Sequence, residues 1–482
     1  MTTSDSIDVL VVGGGPVGVG TALMCARRGL TVVVLERSTE VYDLPRAIVM
    51  DDEIQRAIHL AVAGDGLAAV TSPVPGAEFI DVHGTRIIGF DIPEGVDFPA
   101  GFHPVVRYYQ PELEQFLRDA ARSAGVNLRL GVEVTSIGQD DSRAWAELAD
   151  GTTVHGTWLI AADGAASPIR KSLGIAFEDQ GFDQDWLVVD VELLDDGEHG
   201  LPRLVQQICD PQRPSTFVPG HARFRRWEFQ LQPAETREQM STHERVWELL
   251  SPWLTPEDAR IVRAVVYRFH ALVAATMRAG RIFLAGDSAH QMPPFLGQGL
   301  CSGLRDGANL AWKLQAVARG EAGDQLLDTY DVERRPHAAG VVAHAADTGR
   351  TIDQLAGRDS AGGDLQNAYG GHRPFPHLEA GVMAGAHPAV GRQVPNPLIG
   401  GVRLDQLAGD GFFVVVADAH TFAGTGLEQW RSAGAHVVTT DALEAWGLAG
   451  AVVVRPDRYV AAVATDAADL DALTNSLMGV IR

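Results

Sequence analysis

Residues 8–37, DVLVVGGGPVGVGTALMCARRGLTVVVLER, constrain the fold more than any other stretch. An apolar β-branched run ends at glycine, a run of helix formers follows, and a second β-branched run closes the unit. This is one strand–helix–strand crossover of about 30 residues. Gly13, Gly15 and Gly18 give the G-x-G-x-x-G spacing, with Pro16 and Val17 opening the helix. The first glycine permits a tight turn, and the second allows backbone to approach a pyrophosphate. The third allows close helix–strand packing, while the helix N-terminus offers N–H groups and a positive dipole end. Glu36 ends the second strand, where a carboxylate accepts hydrogen bonds from an adenosine ribose; the plain alternative is a solvated strand end. Placement between strand and helix raises a weak motif to a dinucleotide site, and leaves NAD or FAD open.

The chain has 482 residues, more than one ordinary core, so two or three domains are expected. Alternating runs from about 177 to 273 (DWLVVDVEL, RLVQQICD, RFRRWEFQL, VVYRFHALV) predict an inserted antiparallel sheet. The expected division is a first part of the dinucleotide-binding domain at 1–176 and the inserted sheet domain at 177–273. The first fold then returns at 274–350 with long helices, followed by a Gly/Pro/His-rich linker at 351–399. A C-terminal α/β unit occupies 400–482. The expected class is thus α/β, a Rossmann-like domain carrying an inserted antiparallel β-sheet domain and a small terminal α/β domain.

A net charge of -23 argues against nucleic acid as a partner. Cys25, Cys209 and Cys301 form no CxxC, which fits reduced thiols and neither a disulfide framework nor a cysteine metal site. MTTSDSID lacks the features of a signal peptide, and no apolar run of about 18 residues spans a bilayer. The expectation is a cytoplasmic protein with no membrane or metal partner.

Two further motifs bear on the cofactor. AADGAASPIR, 161–170, frames Asp163, Gly164, Ser167 and Arg170; an Asp-Gly turn and a Ser-capped helix would produce the same letters. RIFLAGDSAHQMPPFLGQGL, 281–300, places Gly286-Asp287 after an apolar strand and Gly297-Gln298-Gly299 before a long helix. Alone, Asp287 reads equally as a turn cap, His290 as a buried histidine and Pro293-Pro294 as a stiff connector.

Together the three motifs resemble the flavoprotein aromatic hydroxylases, the single-component family that includes para-hydroxybenzoate hydroxylase. Within it the likeness is closest to 3-(3-hydroxyphenyl)propionate hydroxylases, carried by LPRAIVMDDE (44–53), CDPQRP (209–214), RRWEF (225–229), GQGLCSGLRDGANLAWKL (297–314) and VRPDRYVAA (454–462). The resemblance implies FAD, with NADH or NADPH as co-substrate, O2 and a small aromatic substrate. The implied reaction inserts one oxygen atom into a phenol, such as a 3-(3-hydroxyphenyl)propionate-like acid, through a flavin C4a-hydroperoxide. A larger polyketide-type aromatic, a non-oxygenating FAD oxidoreductase and a non-catalytic flavin-binding scaffold are the alternatives. Family analogy also suggests a homodimer.

The resemblance implies roles residue by residue. Gly13, Gly15, Pro16, Val17, Gly18, Glu36 and Arg37 would hold the ADP half, and Arg46 the pyrophosphate. Arg107 and Gln110 would lie near the ribityl chain and flavin, and Val134 near adenine. Asp163 and Gly164 would serve FAD and NAD(P)H, and Gly286 and Asp287 the ribityl hydroxyls. Gly297, Gly299 and Leu300 would face the flavin, and Pro293 and Pro294 would wall the substrate pocket. Reduced flavin is anionic, and a helix N-terminus beside it would stabilise that charge. The terminal unit resembles the thioredoxin-like appendage of longer hydroxylases, but has no cysteine for dithiol exchange.

On the inserted sheet, Gln207, Arg223, Arg225, Arg226 and Trp227 are pocket candidates. Alternation puts Arg223, Arg225 and Trp227 on one face and Arg226 on the other. No residue declares itself as the base for a phenol proton; His103, His290 and Tyr267 are the conceivable ones.

Overall fold

A computed structural model describes residues 6–43, 46–62, 64–357 and 376–482. The opening crossover forms as its residues require. Strand Val9–Val12 is wholly buried, the helix Pro16–Arg27 starts with proline in its first turn, and strand Val32–Glu36 pairs parallel to the first. Strand Trp158–Ala161 pairs parallel on the other side of Val9–Val12, followed by Ile282–Leu284. These apolar runs are central strands of a six-stranded sheet covered by helices, which explains their lack of alternation.

The alternating runs build an eight-stranded sheet dominated by Phe177–Leu193 and Ala259–Ala274, with Phe224–Gln230, Ser215–Pro219 and Val205–Ile208 alongside. The sheet also recruits Gly76–Ile80 and Arg86–Asp91 from well ahead of the 177–273 segment, through parallel pairing of Gly76–Ile80 with Val205–Ile208. Only long-range pairing identifies those two short strands as members of this sheet. Helices Gly299–Ala318 and Gln325–Leu355 return the chain across the first domain.

The terminal domain has a mixed four-stranded sheet, ordered His436–Thr439, Phe413–Val416, Ala451–Val454, Val460–Ala464, with helices including Thr425–Ser432 and Ala467–Ile481. Part of the expected linker, 358–375, lies outside the described residues. Its later portion is packed rather than loose, for Leu378, Val382 and Val394 are buried. All three cysteines are buried and free. No described helix is long and apolar enough to cross a membrane.

A buried polar network docks the terminal domain onto the helices. Glu333 Oε2 accepts from Lys313 Nζ at 2.7 Å, Asn309 Nδ2 at 2.7 Å and Arg455 Nη2 at 2.8 Å, while Oε1 accepts from the Val382 N–H. Burial opposes ionisation of Glu333, but Arg455 and Lys313 prevail and draw it down to about 2. Glu333→Gln would strand buried Lys313, while Arg455 keeps Asp457, and should cost about 3–5 kcal/mol, read as a lower urea midpoint. Because the folded pKa is depressed, this stabilisation is present above the unfolded value and lost as pH falls toward about 2. An acid titration of the wild type should show that loss, and the variant should lack it.

Candidate functional site

The three motifs converge at the end of the parallel sheet. Gly13 has φ +108°, and a Cβ there would lie 2.2 Å from the Ala162 carbonyl oxygen beside Asp163. A Cβ on Gly18 would lie 2.0 Å from the Gly13 oxygen, so these two glycines serve the turn and the helix–strand packing. Gly15 differs: among the described residues a Cβ there meets no atom within 4 Å. The same holds for Gly299, which opens the helix Gly299–Ala318. Val17 sits between Gly286 and Gly303, where added Cβ atoms would approach it to 3.1 and 2.6 Å. The first loop and the third motif are thus in direct contact.

Glu36 stands where expected, but its carboxylate bonds the protein. Oε2 accepts from the Gly14 N–H at 2.6 Å and Oε1 from the Ser38 N–H at 2.7 Å. Arg37 is exposed. Val134 lies on the segment next to the Glu36 strand end, where the Val132 N–H donates to the Glu36 carbonyl. Arg46 is exposed beside Tyr42. Gln110 is buried, and its Oε1 accepts from the Arg46 and Ala47 N–H groups at 2.7 Å each, fixing the path of the Arg46 segment. Arg107 points elsewhere, with Nε donating to Ser72 Oγ and Nη1 to the Pro219 carbonyl.

Asp163 caps locally: Oδ1 accepts from Ser167 Oγ at 2.7 Å and Oδ2 from the Ile169 N–H. Ser167 Oγ in turn accepts from the Arg170 N–H. The letters of this motif therefore have a structural job beside any role toward a cofactor. Gly164 has φ +83° and open space where a Cβ would be. Asp287 has a solvent-accessible carboxyl although it lies deep between the motifs, and desolvation pushes its pKa up.

Sequence reasoning missed the residues that hold these loops. Arg118 Nη2 donates to the Gly14 carbonyl and pairs with Glu114, tethering the first loop from behind. Asp306 Oδ2 accepts from the Gly286 N–H and bonds His290 Nε2 at 2.7 Å, while Oδ1 accepts from Arg334 Nε. Burial works against the Asp306 charge, yet His290 and Arg334 keep its pKa below the usual range. Asp306 had one sequence signal, membership of the matching stretch GQGLCSGLRDGANLAWKL, in which it carried no assigned role, and Arg118 had none beyond its helix.

A cavity opens between Pro294–Gly297 and the eight-stranded sheet. Pro294, Phe295, Leu296 and Gly297 form one side with Ile48 and Val49, and Gln207, Thr216, Arg226 and Glu228 stand on the other. Pro293 is buried and is not among the residues lining this space. Gly297 has φ +64°, and a Cβ would strike Val49 Cγ2 at 2.2 Å. Beyond it Gln298 precedes the helix without a side-chain cap bond, and its buried Nε2 has no partner among the described residues. The first-turn N–H groups at Gly299 and Leu300 have no intrahelical acceptor. An anion beside them would be favoured by both the N–H groups and the helix dipole.

Alternation along Phe224–Gln230 separates Trp227, packed in the sheet core with Phe229, from Arg226. Arg226 is tied to Asp190, with Nε to Oδ1 at 2.7 Å, and Asp190 also pairs with Arg263 at 2.6 Å. Asp190 thus joins two arginines at this wall. Next to it Glu228 is buried, and among the described residues its carboxyl has no hydrogen-bond or ion-pair partner. Desolvation lifts Glu228 to about 7, with Asp190 adding and Arg226 and Arg263 opposing. The base candidates named from sequence lie elsewhere. His290 is bonded to Asp306, His103 Nδ1 to the Val105 carbonyl, and the Tyr267 hydroxyl accepts from Arg263.

The site fits FAD on its own observations. Two helix-opening glycines whose smallness serves no protein contact suit a pyrophosphate and a flavin ring respectively. An accessible carboxylate deep between them suits ribityl hydroxyls, and a capless helix N-terminus suits an anionic ring. Among the described residues no group of three or more His, Cys, Asp or Glu is placed to hold a metal.

Comparison with known proteins agrees. Residues 6–345 match the family model described as FAD binding domain. A probable NADH-specific resorcinol 4-hydroxylase of Rhodococcus jostii (strain RHA1) is 34% identical, over 99% of this chain and 95% of that protein. A 3-(3-hydroxy-phenyl)propionate/3-hydroxycinnamic acid hydroxylase of Comamonas testosteroni is 37% identical over 70% of this chain, which spans 58% of that relative. Among solved structures, aklavinone-11 hydroxylase in ternary complex with FAD and aklavinone superposes with TM-score 0.82 and 26% identity. That match covers 99% of this chain and 100% of the other.

Proposed function

Because this chain belongs to the class-A FAD-dependent aromatic hydroxylases, we propose that it hydroxylates a phenol held between Pro294–Gly297 and the Arg226–Glu228 wall. When bound, FAD accepts a hydride from NAD(P)H and activates O2 for transfer of one oxygen atom to an electron-rich ring. The protein's own residues bind, orient and deprotonate.

The observation that carries this reading is the unpartnered Glu228 carboxyl in the same cavity as Pro294 and Gly297. Near pH 7 it exchanges its proton readily, which suits a general base. Proton transfer from the phenol moves one negative charge from Glu228 to the phenol oxygen. The nearby Arg226 and Arg263 charges favour that negative charge in either position. Pro294 and Phe295 supply an apolar wall, and Gln207, whose Oε1 accepts from Thr216 Oγ1 at 2.6 Å, supplies a fixed polar group. Gly13, Gly15, Gly18, Glu36, Arg46, Asp163, Asp287, Gly297, Gly299 and Leu300 remain the proposed FAD contacts.

Named relatives favour a small phenol or a 3-(3-hydroxyphenyl)propionate-like acid, with NADH as reductant. A larger polyketide-type aromatic is the second reading, supported by full-length likeness to the hydroxylase solved with aklavinone. The test mixes FAD-loaded protein with NADH or NADPH and phenols of both sizes, following oxidation and products together. Phenol-dependent oxidation giving a product one oxygen atom heavier is the expected result, and its size class selects between the two substrates. Oxidation yielding only peroxide marks an effector. Silence across the panel with FAD bound would leave the non-oxygenating oxidoreductase or scaffold.

A further inference from the structure

We propose that Arg107, Arg203 and Arg225 form an anion-binding vestibule at the mouth of the phenol pocket, receiving a carboxylate or phosphate carried by a ligand of this site. The three guanidinium-bearing side chains line one cavity with His103, Glu94 and Glu198. It lies where Gly76–Ile80, Val205–Ile208 and Phe224–Gln230 begin and where Arg86–Asp91 and Ser215–Pro219 end. The phenol pocket runs inward from that same sheet end. Ile92 lines both spaces, and Val105 lines the pocket between His103 and Arg107, which line the vestibule.

Arginines in this chain are usually matched: Arg56 with Asp405, Arg226 and Arg263 with Asp190, Arg305 with Asp51. Among the described residues these three form no ion pair, although two glutamates share the cavity. Among the described residues the Arg107 side chain bonds Ser72 Oγ and the Pro219 carbonyl, and that of Arg225 the Ala222 and Phe224 carbonyls. Among the described residues Arg203 has no hydrogen-bond partner. Burial, then the charges of Arg225 and Arg203, hold Arg107 below its usual pKa, so the cluster is under mutual repulsion that an anion would relieve. His103, also lowered by burial, adds no charge at neutral pH. Planar guanidinium groups favour the bidentate geometry of carboxylate and phosphate.

Arg225 and Glu228 are three residues apart on one strand, so their side chains leave opposite faces, and the vestibule meets the pocket at the sheet end, past Ile92 and Val105. A ring whose hydroxyl meets Glu228 therefore needs its anion on a side chain, not directly on the ring. The other source of this chemistry is the diphosphate of the reducing dinucleotide.

The inference rests on the hydroxylase reading, and the experiment separates the two. Binding of 3-(3-hydroxyphenyl)propionate and of its methyl ester is titrated by flavin absorbance on FAD-loaded wild type and Arg203→Gln/Arg225→Gln, and KM for NADH is measured alongside. Arg203→Lys controls for charge, and melting curves control for folding. Loss of two charge-assisted bonds should weaken the acid about 30-fold or more and the ester by under about threefold, with partial recovery in the lysine variant. A rise confined to the KM for NADH would assign the vestibule to the dinucleotide diphosphate and support the anion site. Equal loss for acid and ester with NADH unaffected, or no change in any of them, would overturn it. Acid-selective binding without any hydroxylated product would keep the vestibule and defeat the hydroxylase reading.

Discussion

Glu228→Gln should lower phenol hydroxylation by about 100-fold at pH 8 while FAD stays bound and the protein melts no lower than wild type. Both halves of this expectation follow from one fact, that burial raises the Glu228 carboxyl from 4.5 to about 7. A group whose folded pKa is raised contributes fully to stability below its unfolded pKa, and that contribution is lost as pH rises through the folded value. Glutamine cannot ionise, so the variant escapes the loss above about pH 7. Activity has the opposite sense, because only the ionised carboxyl accepts a proton. Wild-type turnover should rise through about pH 7, and the variant should lack that limb. A phenol with a lower intrinsic pKa arrives partly ionised and should recover part of the lost rate. A variant equally slow at every pH and with every phenol would show that Glu228 only shapes the pocket.

Glu228 also shows where sequence reading stops. Alternation along RFRRWEFQ correctly separated Arg226 from Arg223, Arg225 and Trp227, because that inference needs only the two-residue period of a strand. It could not rank Glu228, whose chemistry depends on Asp190 and Arg263 from neighbouring strands and on Pro294 from a different domain. The same limit hid Arg118 and Asp306. Each is an ordinary helical residue until the fold brings it under Gly14 or Gly286. Strand Gly76–Ile80, and Arg86–Asp91 paired to it, were invisible as members of this sheet because the strand that joins Gly76–Ile80 to it, Val205–Ile208, lies more than a hundred residues downstream. By contrast the first crossover was legible in full. Its glycines, β-branched strands and acidic strand end act locally, and the parallel order around Val9–Val12 follows from apolar runs buried on both faces.

That local legibility makes a sharp pair of substitutions possible. Gly13→Ala should unfold or severely destabilise the first domain, because a Cβ would sit 2.2 Å from the Ala162 oxygen at a φ of +108° that alanine avoids. Gly15→Ala should leave the apo protein's melting temperature close to wild type, since among the described residues its Cβ meets no atom within 4 Å and its backbone φ of -72° is ordinary. Yet the same methyl would stand where a pyrophosphate must approach the N–H groups opening Pro16–Arg27. Weakening two charge-assisted hydrogen bonds should raise the dissociation constant for FAD by about 100-fold or more, read by fluorescence quenching on titration. The contrast matters more than either value. Two glycines of one motif, two residues apart, would fail for different reasons, one through the protein's own carbonyl and one through the cofactor alone. If Gly15→Ala bound FAD as tightly as wild type, the pyrophosphate would have to lie away from this loop, and the assignment of the helix N-terminus would fall with it.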